Sequence, residues 1–220
     1  MTSPKFKCAI FDLDGTLLYT LKSINTAINE TLRLCGYPEH PLENTVNLVN
    51  FGTVDLVRRA LPEDKRTDEE IARVHELYLP RLKKHASVGT MPYDGISEVC
   101  KKLKESGVTV CVMSNKSDGA TKACIDTYFE KGLFDVVRGS VPGEYLKPDA
   151  KFTEEVVKEA GAKKEDCVLI GDSIVDLRTA KNADCPCIWV SWGYAKKETL
   201  DIEPQYIADK PEDILSVILG

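Results

Sequence analysis

Two aspartates lie two positions apart at the end of the first apolar segment of this 220-residue chain. The apolar run Cys8–Phe11 is followed directly by Asp12, Leu13, Asp14, Gly15 and Thr16. If the run is a β-strand, both carboxylates lie on one face, because side chains at i and i+2 share a face. Two such carboxylates repel each other unless a cation lies between them, and a divalent ion with oxygen ligands is the usual solution. The segment therefore predicts a metal-dependent acidic site, although Asp-Gly is also ordinary turn chemistry.

Two later segments carry groups that suit an anionic ligand. Ser114 and Asn115 follow the apolar run 108–113 and offer hydroxyl, amide and backbone N–H groups to phosphate oxygens. Lys147 precedes Pro148, which favours an extended conformation for it, and offers an ammonium group. Taken alone, the first segment is also a good helix cap and the second is common in loops.

A second pair of acids follows another apolar run. Asp172 comes after the run 167–170, and Asp176 lies four residues further on, one helical turn away. Both can therefore point into one site if a helix begins between them. The alternative is an Asp cap and an acid in the first helical turn, where negative charge is favoured.

The elements that must position these residues alternate between strand and helix. Near-continuous apolar runs predict strands at residues 6–11, 108–113, 135–137, 167–170 and 187–190, because strands buried on both faces lose their polar alternation. Helical periodicity predicts helices at residues 96–105, 118–129, 152–160, 174–183 and 212–219. This order predicts an α/β fold with a doubly wound, Rossmann-like parallel sheet, in which ligands bind beyond the carboxyl ends of the strands.

One long stretch interrupts the alternation. Residues 17–88 contain no convincing strand and carry helical patterns over 21–32, 52–61 and 71–82. The last of these is opened by Thr67 and three acidic residues, a plausible capped start. Because this stretch is far too long for a simple connection, we predict an all-helical domain at 17–88 inserted into a discontinuous core of 1–16 and 89–220. A lid there would exclude water and select substrates.

Taken in order, these segments resemble the four sequence motifs of the haloacid dehalogenase-like hydrolases, most of which are aspartate-based phosphatases. The inserted helical domain is similar to the cap that many members carry at the same place. The resemblance implies that Asp12 is the nucleophile and that Asp14 is the general acid and base. The acid at position 14 favours phosphoryl transfer over dehalogenation, which does not need it.

The same resemblance implies a magnesium site and a phosphate site. Mg²⁺ would be held by the carboxylates of Asp12 and Asp172 and the backbone carbonyl of Asp14, with Asp176 steadying these ligands. The residues that the resemblance assigns to phosphate binding and the adjoining turn are Thr16, Ser114, Asn115 and Lys147. The implied partner is a small phosphorylated metabolite.

Composition excludes several other classes of function. The net charge of −6 and the pI near 5.3 argue against a nucleic-acid-binding surface. No apolar stretch approaches the roughly 20 residues of a membrane helix, and residues 1–7 lack the apolar core of a secretion signal. The eight cysteines lie mostly in apolar runs or helix-like segments and form no metal-site pattern, so we interpret them as reduced thiols. A cytoplasmic protein, either a monomer or a homodimer, is expected.

Within the family, the length of the inserted domain and Trp192-Gly193-Tyr194 most resemble the phosphoglycolate phosphatase group. Tyr19 and Phe51 replace residue types common in that group, and we expect both to influence substrate choice. Two alternatives remain: a phosphosugar mutase similar to beta-phosphoglucomutase, which uses the same motifs, and a non-catalytic binding module.

Overall fold

The computed structural model describes residues 3–220 and contains a six-stranded parallel sheet. The strands, in the order β5-β4-β1-β6-β7-β8, are β1 (Cys8–Phe11), β4 (Thr109–Ser117), β5 (Val136–Ser140), β6 (Cys167–Gly171), β7 (Cys187–Val190) and β8 (Tyr206–Ala208). The predicted α/β class and parallel sheet are confirmed. The strand β8 was not predicted, because it is three residues long and two of its side chains are not buried.

Helices cover both faces of this sheet. They are α4 (Ile96–Glu105), α5 (Asp118–Tyr128), α6 (Ala150–Glu159), α7 (Ile174–Asn182) and α8 (Pro211–Leu219). Alternate residues of β1 enter two separate cores: Ala9 and Phe11 pack with α4, α5 and α8, whereas Cys8 and Ile10 pack with α6 and α7. The predicted doubly wound arrangement follows from this alternation, because a period of two divides each strand between two apolar layers.

The strand order reverses beside β1. From β1 the chain builds outward through β4 to β5, then returns to place β6 on the other side of β1. Such a reversal leaves a crevice at the carboxyl ends of the two neighbouring strands. The polar residues that follow β1 and β6 therefore lie at this switch point.

The chain divides into two compact units, one extending to Leu18 and from Pro92 to Gly220, the other Tyr19–Met91. The sequence prediction placed this division after residues 16 and 88. The second unit contains α1 (Leu21–Leu34), α2 (Thr53–Ala60) and α3 (Asp68–Lys84), and the side chain of Thr67 caps α3 as expected. The absence of strands predicted for this stretch was wrong at one point: β2 (Leu18–Tyr19) pairs with β3 (Met91–Pro92), a pairing too short to leave a sequence pattern.

All eight cysteines are free thiols. Among residues 3–220, no helix is both long and apolar enough to cross a membrane.

Candidate active site

The chain turns sharply where β1 ends. Asp12 is buried, and its backbone N–H donates to the carbonyl of Ile170 at 2.8 Å, so β1 and β6 still pair there. Gly15 then adopts a φ of +88°, and a Cβ at this position would lie 2.6 Å from a carboxylate oxygen of Asp172. Glycine therefore serves two purposes here: it accepts the left-handed conformation and it leaves room for an acid on the next strand.

Three buried carboxylates meet at this switch point. Asp12, Asp172 and Asp176 each place one oxygen within 4.8 Å of the others. Burial, with a further contribution from Asp176, raises the pKa of Asp12 to about 7 although Lys147 opposes this shift. Burial and the two other acids likewise raise the pKa of Asp172 well above its ordinary value. Such a set of crowded oxygen donors fits a hard divalent cation, which would relieve their repulsion.

An ammonium lies inside this acidic cluster. The Nζ of Lys147, which is 3% exposed, lies 2.7 Å from Asp12 and 2.7 Å from Asp176. Burial by itself lowers the pKa of Lys147, but the two carboxylates more than reverse that effect and raise its pKa above the usual value. The side chain therefore stays charged and joins the acid after β1 to the acid in the first turn of α7.

The predicted phosphate-binding residue Asn115 contacts the loop that carries Lys147. Its amide nitrogen donates to the carbonyl of Lys147 at 2.9 Å, and its amide oxygen accepts the backbone N–H of Lys147 at 2.8 Å. The nitrogen and the oxygen of the Asn115 side-chain amide therefore both bond the backbone of Lys147. Ser114, also buried, accepts the backbone N–H of Lys116 with its hydroxyl at 3.2 Å.

Residues of β7 and of the turns that follow β1 and β7 contact Asp172. Its carboxylate accepts the backbone N–H of Tyr194 at 2.7 Å and the hydroxyl of Thr16 at 3.3 Å. Its carbonyl accepts the indole N–H of Trp189 at 2.8 Å. A Cβ at Gly193 would lie 2.1 Å from the Cβ of Asp172. The Trp192-Gly193-Tyr194 segment was noted only as a sign of kinship, yet its last two residues lie directly against this acid.

Asp176 helps to cap the N-terminus of α7 as well as joining the cluster. One of its oxygens accepts the backbone N–H and the hydroxyl of Ser173, at 3.0 and 2.6 Å, completing a capping box. The other accepts from Lys147 at 2.7 Å. Asp176 can therefore cap the helix and belong to the site at once, because one of its carboxylate oxygens bonds Ser173 and the other bonds Lys147.

Sequence reasoning missed Lys116 as a site residue. Its Nζ lies 2.9 and 2.8 Å from the two carboxylate oxygens of Asp14. Burial by itself lowers its pKa, but Asp14, with further contributions from Cys124 and Asp12, more than compensates, and the pKa of Lys116 is raised. The prediction ended the strand at Met113, whereas β4 continues to Ser117. A basic residue following directly on Ser114 and Asn115, in a site with an excess of acids, was the available signal.

The two residues expected to influence substrate choice belong to the second unit. Phe51 is half-buried, and the guanidinium carbon of Arg59 lies 3.9 Å from the centroid of its ring. Arg59 also pairs with Asp55. A role for Phe51 and Tyr19 in specificity stays a prediction.

Comparisons with known proteins point to one family. The haloacid dehalogenase-like hydrolase family profile matches residues 9–190. A phosphoglycolate phosphatase of Agrobacterium fabrum is 28% identical over 212 residues, covering 95% of this chain and 91% of the relative. Another, from Pseudomonas savastanoi, is 30% identical over 191 residues, covering 86% and 70%.

Solved structures resemble the fold over almost its whole length. A candidate phosphoglycolate phosphatase from Lactobacillus delbrueckii superposes with a TM-score of 0.91 at 30% identity, covering 98% of this chain and 99% of that one. CbbY from Rhodobacter sphaeroides, solved with xylulose-(1,5)bisphosphate, superposes with a TM-score of 0.76 at 22% identity, covering 93% and 94%. The second likeness concerns the fold alone.

Proposed function

Since the chain belongs to the haloacid dehalogenase-like hydrolase family and is a phosphatase, we propose that it hydrolyses the small monoester 2-phosphoglycolate with Mg²⁺ as its metal. One observation carries the proposal: the Lys147 ammonium lies 2.7 Å from Asp12 within a buried acidic cluster at the switch point. Phosphoryl transfer requires mainly positioning and charge neutralisation, and this arrangement supplies both. The substrate follows the names of the curated relatives.

The nucleophile is Asp12. One of its oxygens is bound by Lys147, and the other forms a bond to phosphorus as the bond from phosphorus to the leaving oxygen breaks. Asp14 gives its proton to that oxygen, so that glycolate leaves as an alcohol. Water then attacks the phosphorus of the aspartyl-phosphate, its proton passes to Asp14, and inorganic phosphate and free Asp12 result.

Mg²⁺ would be held by the carboxylates of Asp12 and Asp172 and the backbone carbonyl of Asp14. When bound, it supplies positive charge that offsets the charge of the transferring phosphoryl group. The three crowded carboxylates fit such an ion, and the hydrogen bonds that Tyr194 and Thr16 donate to Asp172 orient one of them.

The remaining polar residues divide into two groups. Ser114 and Lys147 are the proposed phosphate ligands, because a hydroxyl and an ammonium there can donate to phosphate oxygens. Asn115 and Thr16 contribute through Lys147 and Asp172, to which their side chains are bonded.

Steady-state kinetics on a panel of phosphate esters test this proposal. The enzyme, stripped with EDTA and resupplied with MgCl₂, is expected to show its highest kcat/KM with 2-phosphoglycolate. Asp12→Asn keeps the side-chain shape and removes the nucleophilic charge, so it should be inactive with an unchanged circular dichroism spectrum. Full activity after exhaustive chelation contradicts the metal assignment, and turnover by Asp12→Asn contradicts the aspartyl-phosphate.

The phosphosugar mutase alternative is not favoured, because the curated relatives compared above are phosphatases. Conversion of a sugar 1-phosphate to the 6-phosphate, activated by a bisphosphate and faster than hydrolysis of any ester in the panel, would restore it.

A further inference from the structure

The site contains a second ammonium for which the reaction described above gives no role. Lys116 extends from the end of β4, and its side chain is 10% exposed. It contacts both oxygens of Asp14, at 2.9 and 2.8 Å, whereas Lys147 serves Asp12 and Asp176. The two ammonium groups therefore pair with different proposed catalytic carboxylates: Lys147 with Asp12, and Lys116 with Asp14.

The carboxylate that Lys116 contacts belongs to Asp14, the proposed general acid. A general acid must come within hydrogen-bond distance of the leaving oxygen. In a 2-phosphoglycolate molecule, the carboxylate is separated from that oxygen by a single methylene group. The substrate therefore brings a negative charge close to Asp14 and Lys116, and a charge removed from water in this way needs a cation beside it.

The geometry leaves Lys116 able to donate a hydrogen bond to the carboxylate of the substrate. An ammonium has three N–H donors and no acceptor, and the two oxygens of Asp14 account for two of them. Arg138, in the neighbouring strand β5, is instead paired with three acids: Glu144, Glu155 and Glu159.

We propose that Lys116 determines specificity for carboxylate-bearing leaving groups, by donating to the substrate carboxylate while it holds the carboxylate of Asp14. This inference rests on the proposed function and adds a residue that recognises the non-phosphate end of the substrate. The recognition element lies in the sheet-containing unit, next to the acid whose proton the same leaving group receives.

Three substrates separate this role from its alternatives. They are 2-phosphoglycolate, the neutral 2-hydroxyethyl phosphate of similar size, and p-nitrophenyl phosphate, whose leaving group departs without a proton. Lys116→Met should lower kcat/KM for 2-phosphoglycolate about 10- to 100-fold more than for 2-hydroxyethyl phosphate, the size expected for one lost charge-assisted hydrogen bond. Lys116→Arg, which keeps the charge, should retain most of the discrimination.

The matched control is Lys122→Met, which removes an exposed lysine of α5 that pairs with Asp118. It should leave all three kcat/KM values unchanged. If Lys116→Met does not fold, as judged by circular dichroism, Lys116→Gln replaces it, because the amide retains a donor without the charge.

Two results overturn the inference while the proposed function stands. Equal losses for 2-phosphoglycolate and 2-hydroxyethyl phosphate, with p-nitrophenyl phosphate spared, would show that Lys116 only positions Asp14. Equal losses for all three substrates would show a purely structural role. Failure of the proposed function would give a different result, seen in the wild-type enzyme: its kcat/KM would then be no higher for 2-phosphoglycolate than for 2-hydroxyethyl phosphate.

Discussion

At the centre of this site, a buried lysine and the buried aspartates around it stabilise one another's charges. Lys147 stays charged although it is buried, because Asp12 and Asp176 each lie 2.7 Å from its Nζ. Removing Lys147 would leave crowded buried carboxylates without their cation, which is strongly destabilising. The ammonium is therefore a structural element of the cluster as well as a proposed phosphate ligand.

Asp14 differs from the acids of the metal cluster in its surroundings, since its carboxylate faces Lys116. If it acts as general acid and base, Asp14→Asn should lower kcat by about a hundredfold to ten-thousandfold for alkyl phosphates. The loss in the first chemical step should be smaller for p-nitrophenyl phosphate, whose leaving group needs no proton. Burst kinetics, which separate that step from hydrolysis of the intermediate, measure the difference. Identical first-step losses for both ester types are incompatible with an acid role for Asp14.

At the scale of elements, the site depends on how closely the ends of β1, β6 and β7 approach one another. A Cβ at Gly171 would lie 2.2 Å from the Cγ of Asp176, and one at Gly193 would lie 2.1 Å from the Cβ of Asp172. These separations are far below van der Waals contact. The glycines therefore allow backbone from neighbouring segments to pack directly against the acids.

Gly193→Ala tests this packing. The added methyl group must displace Asp172, so we expect a large loss of kcat and weaker Mg²⁺ binding, measured as a higher Mg²⁺ concentration for half-maximal rate. The matched control is Gly119→Ala in α5, where an added Cβ meets nothing within 4 Å. This control should stabilise the fold by about 0.4–1 kcal/mol, the usual gain at a compatible helical position. Wild-type kinetics and Mg²⁺ dependence in Gly193→Ala would show that the segment after β7 does not position Asp172.

For the whole molecule, the buried acids connect stability to pH and to metal. The folded-state pKa of Asp12 is about 7, above its ordinary value of 3.8, and that of Asp172 is also raised. Between these values the folded-state carboxyls bind more protons than they do in the unfolded chain, so the contribution of these two acids to the stability of the metal-free protein falls as pH rises from about 4 to about 7. A bound cation favours the ionised carboxylates and offsets that loss.

Thermal denaturation in EDTA and in MgCl₂ at two pH values measures this connection. The increase in Tm caused by MgCl₂ should be larger at pH 8 than at pH 5, because protons no longer compete for the carboxylates at the higher pH. Asp172→Asn should reduce the increase at pH 8. An Mg²⁺ effect of equal size at both pH values would mean that these carboxylates do not hold the ion.

The sequence by itself determined the features that depend on local pattern. The helix Ile96–Glu105 and the strand Cys187–Val190 were predicted at their observed bounds, because apolar periodicity and flanking turn residues fix such elements locally. The acids after β1 and β6 were recognised for the same reason, since a carboxylate directly after an apolar strand is visible without any knowledge of packing.

Only the tertiary structure decided which of these groups meet. The pairing of Lys116 with Asp14 joins residues 102 positions apart, and the two bonds between Asn115 and Lys147 join residues 32 positions apart. No periodicity encodes such pairs, because they depend on strand order, register and the path of loops across the sheet. The need for glycine at position 193 likewise appears only when the segment after β7 is folded against Asp172, since a close approach of backbone is a property of the packed molecule.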